Sequence, residues 1–158
     1  MKVLLFNGSP RGEGCTYTAL SEVASALEKE GIETEIVSVG NKPILGCTGC
    51  GACRRAGKCV FGDNDGVNAF AAKAAEADGI ILGAPVHYAS ISGAASSFLD
   101  RVFYSGSGAF RGKPGAAVVS CRRAGSTASL DQLNKYFTIC EMPVVSSRYW
   151  NMVHGSNP

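Results

Sequence analysis

Residues 2–16 read KVLLFNGSPRGEGCT, and this stretch decides the fold. Lys2–Asn7 is a short, nearly continuous apolar run closed by Gly8, the composition of a strand buried on both faces. After the loop, Thr16–Glu30 places Leu20, Val23, Ala24 and Leu27 on one helical stripe, and Gly31 stands where a helix C-cap belongs. Strand, glycine-rich loop and amphipathic helix together make the first unit of a βα alternation.

The pattern repeats outward from there. Thr34–Val39 alternates apolar and polar, as a strand nearer an edge does. Asp63-Asn64-Asp65 offers an N-cap for an alanine-rich helix reaching Ala77. Gly79–Gly83 (GIILG) predicts a third buried strand, ended by Ala84-Pro85. Ile91–Tyr104 reads as a helix with Ala94, Ala95, Phe98, Leu99 and Val102 inward. Gly115–Cys121 is a fourth strand, Ser126–Cys140 a helix, and Pro143–Ser147 a fifth strand with its proline in the tolerated first position. Such alternation calls for an α/β, doubly wound, five-stranded parallel sheet with right-handed crossovers, in the order 2-1-3-4-5. Half a βα barrel would need more units than the length allows. Only Arg148–Pro158 follow the fifth strand, so the last helix is missing and one face of the sheet is expected to be partly bare. A partner, or further chain, would cover it.

The 158 residues suit one domain over 1–158, with a cysteine-rich loop at 46–62. A net charge of +2 is too mild to argue for nucleic acid, and no apolar run is long enough to cross a bilayer. MKVLLFNGSP lacks a small-residue cleavage site, so a strand is a better reading than a signal peptide. Seven cysteines, four of them clustered, point to metal or redox use in a reducing cytoplasm rather than to a disulfide framework.

Ligands of an open α/β sheet sit beyond the carboxyl ends of the strands, at the switch point between strands 1 and 3. There Gly8–Thr16 leads into a helix N-terminus that favours an anion, with Ser9 and Thr16 as hydroxyl donors and Arg11 as a planar cation. The loop is neither G-x-G-x-x-G nor Walker A. A plain βα turn with Thr16 as N-cap is the bland alternative, but the convergence of three such groups favours phosphate. Pro85 fixes the backbone after the third strand, and Tyr88 can stack on an aromatic ring. Arg122-Arg123 is either a solvated pair or a second anion contact.

Cys47, Cys50, Cys53 and Cys59 lie in CTGCGACRRAGKC. Three readings compete for them. A [4Fe–4S] cluster needs four thiolates, which C-x2-C-x2-C followed by a loop can supply. Structural zinc usually takes two C-x2-C arms on a longer connector. The third reading is a metal-free, redox-active loop. Glycines at 46, 49, 51 and 57 would let the backbone wrap a centre. Cys15, Cys121 and Cys140 are dispersed, and Cys140 reads as core.

GSPRGEGCT, APVHY and FRGKPGAAVVSCRRAG resemble the corresponding segments of the NADPH-dependent FMN reductase family of flavodoxin-like proteins. The cysteine run resembles that of its iron–sulfur flavoprotein branch. The resemblance implies that Ser9, Arg11 and Thr16 hold the FMN phosphate, with Cys15 where the family commonly has asparagine. Pro85, Val86, His87 and Tyr88 would line the isoalloxazine ring, and Ser120, Arg122, Arg123 and Gly125 would approach its other side or edge. No protein acid or base is implied. The expected function is FMN-dependent oxidation–reduction, driven by NAD(P)H or ferredoxin, of a quinone, flavin or similar acceptor. An electron carrier without small-molecule turnover is the alternative, and a zinc-stapled binding module a third. Expected partners are a small-molecule or protein donor and acceptor and a second copy of the chain, with no nucleic acid and no membrane.

Overall fold

The computed structural model describes residues 1–158. β1 (Lys2–Asn7) buries Leu4, Leu5 and Phe6 completely, and α1 (Cys15–Lys29) buries Leu20 and Ala24 of the expected stripe. β2 (Glu33–Ser38) pairs in parallel with β1, Leu5 opposite Ile36, and its half-exposed side chains mark it as an edge. β3 (Gly79–His87) lies on the other side of β1, and β5 (Gly115–Cys121) follows β3, both parallel. A two-residue β4 (Ser90–Ile91) folds back antiparallel on the end of β3. With β6 (Met152–His154) beside β5, the path is β2-β1-β3-β5-β6, the expected 2-1-3-4-5 once β4 is set aside.

Alternation along the strands divides the core. Leu4, Phe6, Ile80, Leu82, Ala117 and Val119 share a cluster of 24 buried residues with α3 (Val67–Glu76), α4 (Gly93–Phe110) and α5 (Ser126–Ile139). Phe6 stacks on Phe98, centroids 5.0 Å apart, and Phe70 meets both edge-on. Each such side chain contributes roughly 1.5–3 kcal/mol by burial. Leu5, Ile81 and Val118 face the other way, onto Leu20 and Ala24, in a cluster of only five buried residues. One face therefore carries three helices and the other α1 alone.

Three local expectations are corrected. Pro143–Ser147 is not a strand. Gly115 donates to the Pro143 carbonyl and accepts from the Val145 amide, a single bridge centred on Val144. The chain then leaves the sheet and re-enters as Met152–His154 against Val119–Cys121. The Ser147 hydroxyl, between the Tyr149 carbonyl and the Asn151 side chain, holds this excursion out of the ladder.

Gly66 at φ 81° takes the N-cap position of α3, while Asp65, one residue ahead, pairs with Arg101 and still accepts the Val67 amide at 3.4 Å, and Asp63 is engaged by Lys58 and Asn68. Finally, Ile91 belongs to β4, and α4 begins after Ser92, whose Oγ accepts the Ala95 amide at 3.2 Å. That helix continues through the Gly/Ser stretch to Phe110, whose ring folds over Gly106, where a Cβ would lie 2.5 Å from it. Burial of one aromatic outweighs the weak helix propensity of two glycines.

Candidate functional site

At the carboxyl edge of β1, β3 and β5 a cleft of about 430 Å³ opens over the N-terminus of α1. Fully buried Asn7 organises its floor. The Asn7 side chain accepts the Ser9 amide at 3.1 Å and donates to the Gly12 carbonyl and to Ser38 Oγ. The Gly8 amide donates to the Gly83 carbonyl at 2.7 Å, and Ser92 Oγ donates to the Gly8 carbonyl at 2.8 Å. A Cβ on Gly8 would stand 2.8 Å from that of Ala95, so only glycine lets the loop approach α4 this closely. Sequence reading missed Asn7, which looks like the last residue of an apolar strand.

The lining of the cleft suits an anion in charge and in donors. α1 starts at Cys15 with no side-chain cap and no acid in its first turn, leaving its amides directed at the cleft. Ser9, Thr16 and Ser120 are buried at the lining, and Thr16 and Ser120 share a hydrogen bond of 2.7 Å across the sheet edge. Arg11 and Arg122 also line it, neither in an ion pair, and no carboxylate does. Pro85, Val86, His87 and Cys15 complete the predicted set that the fold brings together. Gly155 and Ser156, just past β6, line it too, which depends on where the fifth strand re-enters the sheet.

Tyr88, Arg123 and Gly125 stand outside that lining. Tyr88 (φ 52°) and Ala89 (φ 58°) form the two-residue turn of the β3–β4 hairpin, both in the left-handed region, with the Tyr88 side chain fully exposed. Gly125 (φ 99°) packs beneath, where a Cβ would be 2.7 Å from Ala89 Cα. Its role here is to seat the turn. Arg123 is exposed beside it in sequence.

The four clustered cysteines line a second cavity of about 400 Å³, with Tyr104 and the buried Arg101. Within the segment, α2 (Cys53–Ala56) makes one unpredicted helical turn closed by Gly57 at φ 68°. Cys47 and Cys50 are exposed and Cys53 and Cys59 half-buried, all as free thiols. The Ala52 amide and the Thr48 hydroxyl hold the Cys50 thiol below the usual range. No three histidine, cysteine or acidic side chains stand in a ready-made metal arrangement. The donor chemistry nevertheless suits a thiolate-bound centre, since four thiols and no carboxylate face one space.

Arg101 is 2% exposed, and sequence reading passed over it as one more polar residue on a helix. It pairs with Asp65 and donates to the Leu45 carbonyl at 3.0 Å and to Cys59 Sγ at 3.3 Å. Burial opposes its charge, yet Asp65 and Cys59 outweigh that and raise its pKa. Elsewhere, Cys140 is core, its thiol pushed up by burial.

A family model described as NADPH-dependent FMN reductase matches residues 1–157. An iron–sulfur flavoprotein of Methanocaldococcus jannaschii is 38% identical over 148 residues, covering 92% of this chain and 76% of that one. An iron–sulfur flavoprotein of Archaeoglobus fulgidus is 34% identical over 120 residues, covering 75% of this chain and 54% of that one. So the chain spans about half of the second relative's length. In fold it is similar to an NAD(P)H:quinone oxidoreductase from Methanothermobacter marburgensis, with a TM-score of 0.72 at 14% identity, covering 100% and 86% of the two chains. A flavodoxin from the Archaea gives 0.66 at 16% identity, covering 99% and 86%. No helix is long and apolar enough to cross a membrane.

Proposed function

The chain belongs to the NADPH-dependent FMN reductase family, and from that premise we propose that it is an FMN-dependent oxidoreductase working with a thiolate-bound iron–sulfur centre. The observation that carries the flavin half is the anion cleft: an uncapped helix N-terminus, two unpaired arginines, three buried hydroxyls and no carboxylate. A phosphate fits that set in charge and in donors. Ser9, Arg11 and Thr16 would hold it, and Pro85, Val86 and His87 would line the ring at the end of β3, with Tyr88 at the rim. Arg122 would stand at the flavin's edge.

When bound, FMN supplies hydride and electron transfer. The chain's own part is to anchor, orient and tune. Ser120 ties Thr16 to β5, which holds the two hydroxyls together at the sheet edge. The backbone after Pro85 runs stiffly past the cleft, and its two-residue turn is braced by Gln132, which accepts from Ser90 Oγ at 2.7 Å and the Ile91 amide at 3.0 Å.

Cys47, Cys50, Cys53 and Cys59 would ligate the iron–sulfur centre, which supplies one-electron exchange. Ferredoxin-like proteins or NAD(P)H as donor, and a quinone, flavin or protein as acceptor, follow from this reading, in a cytoplasmic setting. A second copy of the chain is the expected cover for the exposed Tyr149 and Trp150, whose rings meet at a tilt of 54°, centroids 5.1 Å apart, outside the sheet.

The testing experiment is one visible spectrum of anaerobically purified protein with flavin and iron quantified. Yellow protein releasing about one FMN per chain supports the reading; colourless protein that takes up no added FMN overturns it. Turnover of nicotinamide by the flavin-loaded protein separates the reductase from the electron carrier.

A further inference from the structure

Arg101 is the largest side chain buried to this depth in the molecule, and its surroundings are not those of an ordinary core arginine. Four of its N–H donors are engaged. The guanidinium grips Asp65 through both terminal nitrogens. One of these also reaches the Leu45 carbonyl, two residues ahead of Cys47, and Nε reaches the sulfur of Cys59, the last of the four cysteines. Arg101 therefore clasps both ends of the cysteine segment to α4. Asn68 fixes the backbone of the same cysteine, accepting the Cys59 amide at 3.0 Å and donating to its carbonyl at 2.8 Å. Cys59 is thus held in amide, carbonyl and sulfur alike, while Cys47 and Cys50 are exposed.

We propose that Arg101 is a positioning residue that fixes Cys59 as the preset ligand and, through its charged hydrogen bond to that sulfur, raises the reduction potential of the centre the four cysteines hold. The inference rests on the iron–sulfur reading above. Its physics is simple. Reduction adds one electron to the centre and no bond within the chain is made or broken, so a buried positive charge and an N–H donor at a ligand sulfur stabilise the reduced form. Asp65 acts in the opposite sense on the same spot. A merely structural clasp would not distinguish the two charges.

The test uses the full chain, reconstituted anaerobically with iron and sulfide and titrated with dithionite against redox mediators. R101Q should lower the potential of the centre, by about tenfold in the reduced-to-oxidised ratio at fixed potential, or ~59 mV for one electron. D65N should raise it, and R101K, keeping charge without the planar fork, should fall between R101Q and the parent. Equal potentials in all four proteins, or shifts of the same sign in R101Q and D65N, overturn the proposal while leaving the iron–sulfur reading intact. If R101Q fails to fold or load, R101K against the parent decides: a potential unchanged or raised in R101K overturns the proposal. Absence of iron from the parent itself overturns the iron–sulfur reading and this inference together.

Discussion

Arg11 and Gly8 show how single residues shape the cleft by different means. Arg11 contributes charge: its side chain is exposed at the cleft, in no ion pair, and free for a ligand. Replacing it with alanine should weaken FMN by roughly 2 kcal/mol, about thirtyfold in Kd, as the loss of a charge-assisted hydrogen bond does. Fluorescence titration of the metal-free protein measures this, and undiminished affinity would remove Arg11 from the phosphate site. Gly8 contributes absence: its missing Cβ lets the loop touch α4 and β3. Gly8→Ala should cost about 1–3 kcal/mol of stability, because the obstruction is Ala95 Cβ and backbone rather than a flexible side-chain end. Denaturant unfolding of the variant checks it. Arg11's place at the cleft was legible in the sequence, because its loop directly follows the first strand. Asn7 was not, because its amide satisfies groups brought together from Ser38 and Gly12 only by folding.

One element carries backbone strain. The β3–β4 turn uses tyrosine and alanine where left-handed backbone favours glycine or asparagine. Ala89→Gly should therefore stabilise the protein by roughly 0.5–1 kcal/mol, whereas Gly125→Ala, driven into Ala89, should destabilise it. A stability change of the same sign in both would show that the turn does not bear the strain.

Between α4 and α5, Tyr136 donates to Asp100 Oδ1 at 2.6 Å, and burial, then Asp100, push its phenol far above the usual range. The unfolded phenol ionises near pH 10, so beyond that the unfolded chain releases a proton the native chain keeps. Stability contributed by the neutral buried phenol is complete below pH 10 and declines above it, by at most ~1.4 kcal/mol per pH unit for this group. Tyr136→Phe should start less stable at pH 8, having left Asp100 without its donor, yet lose less between pH 10 and 11. Urea unfolding at the two pH values reads both.

At the scale of the molecule, two cavities stand out, one lined by hydroxyls and arginines and one by thiols. Anaerobic reconstitution should place about four irons per chain, and Cys50→Ser should abolish most of that uptake. Uptake untouched by the substitution would take Cys50 out of the ligand set. Light scattering should return a dimer or larger species, and a monodisperse monomer at high concentration would count against the second copy over Tyr149 and Trp150. The sequence by itself determined the doubly wound sheet, because buried strands and striped helices leave a period that no other packing satisfies, and it brought Ser9, Arg11 and Thr16 to one cleft, because their loop is contiguous. What lies between distant segments only the tertiary structure decided. Pro143–Ser147 has the composition of a strand, but the sheet accepts just one of its residues before Met152–His154 takes the place beside β5. Arg101 reads as one more polar residue on a helix until the fold sets Asp65, Leu45 and Cys59 around it. A buried charge acquires its meaning from partners that only folding assembles.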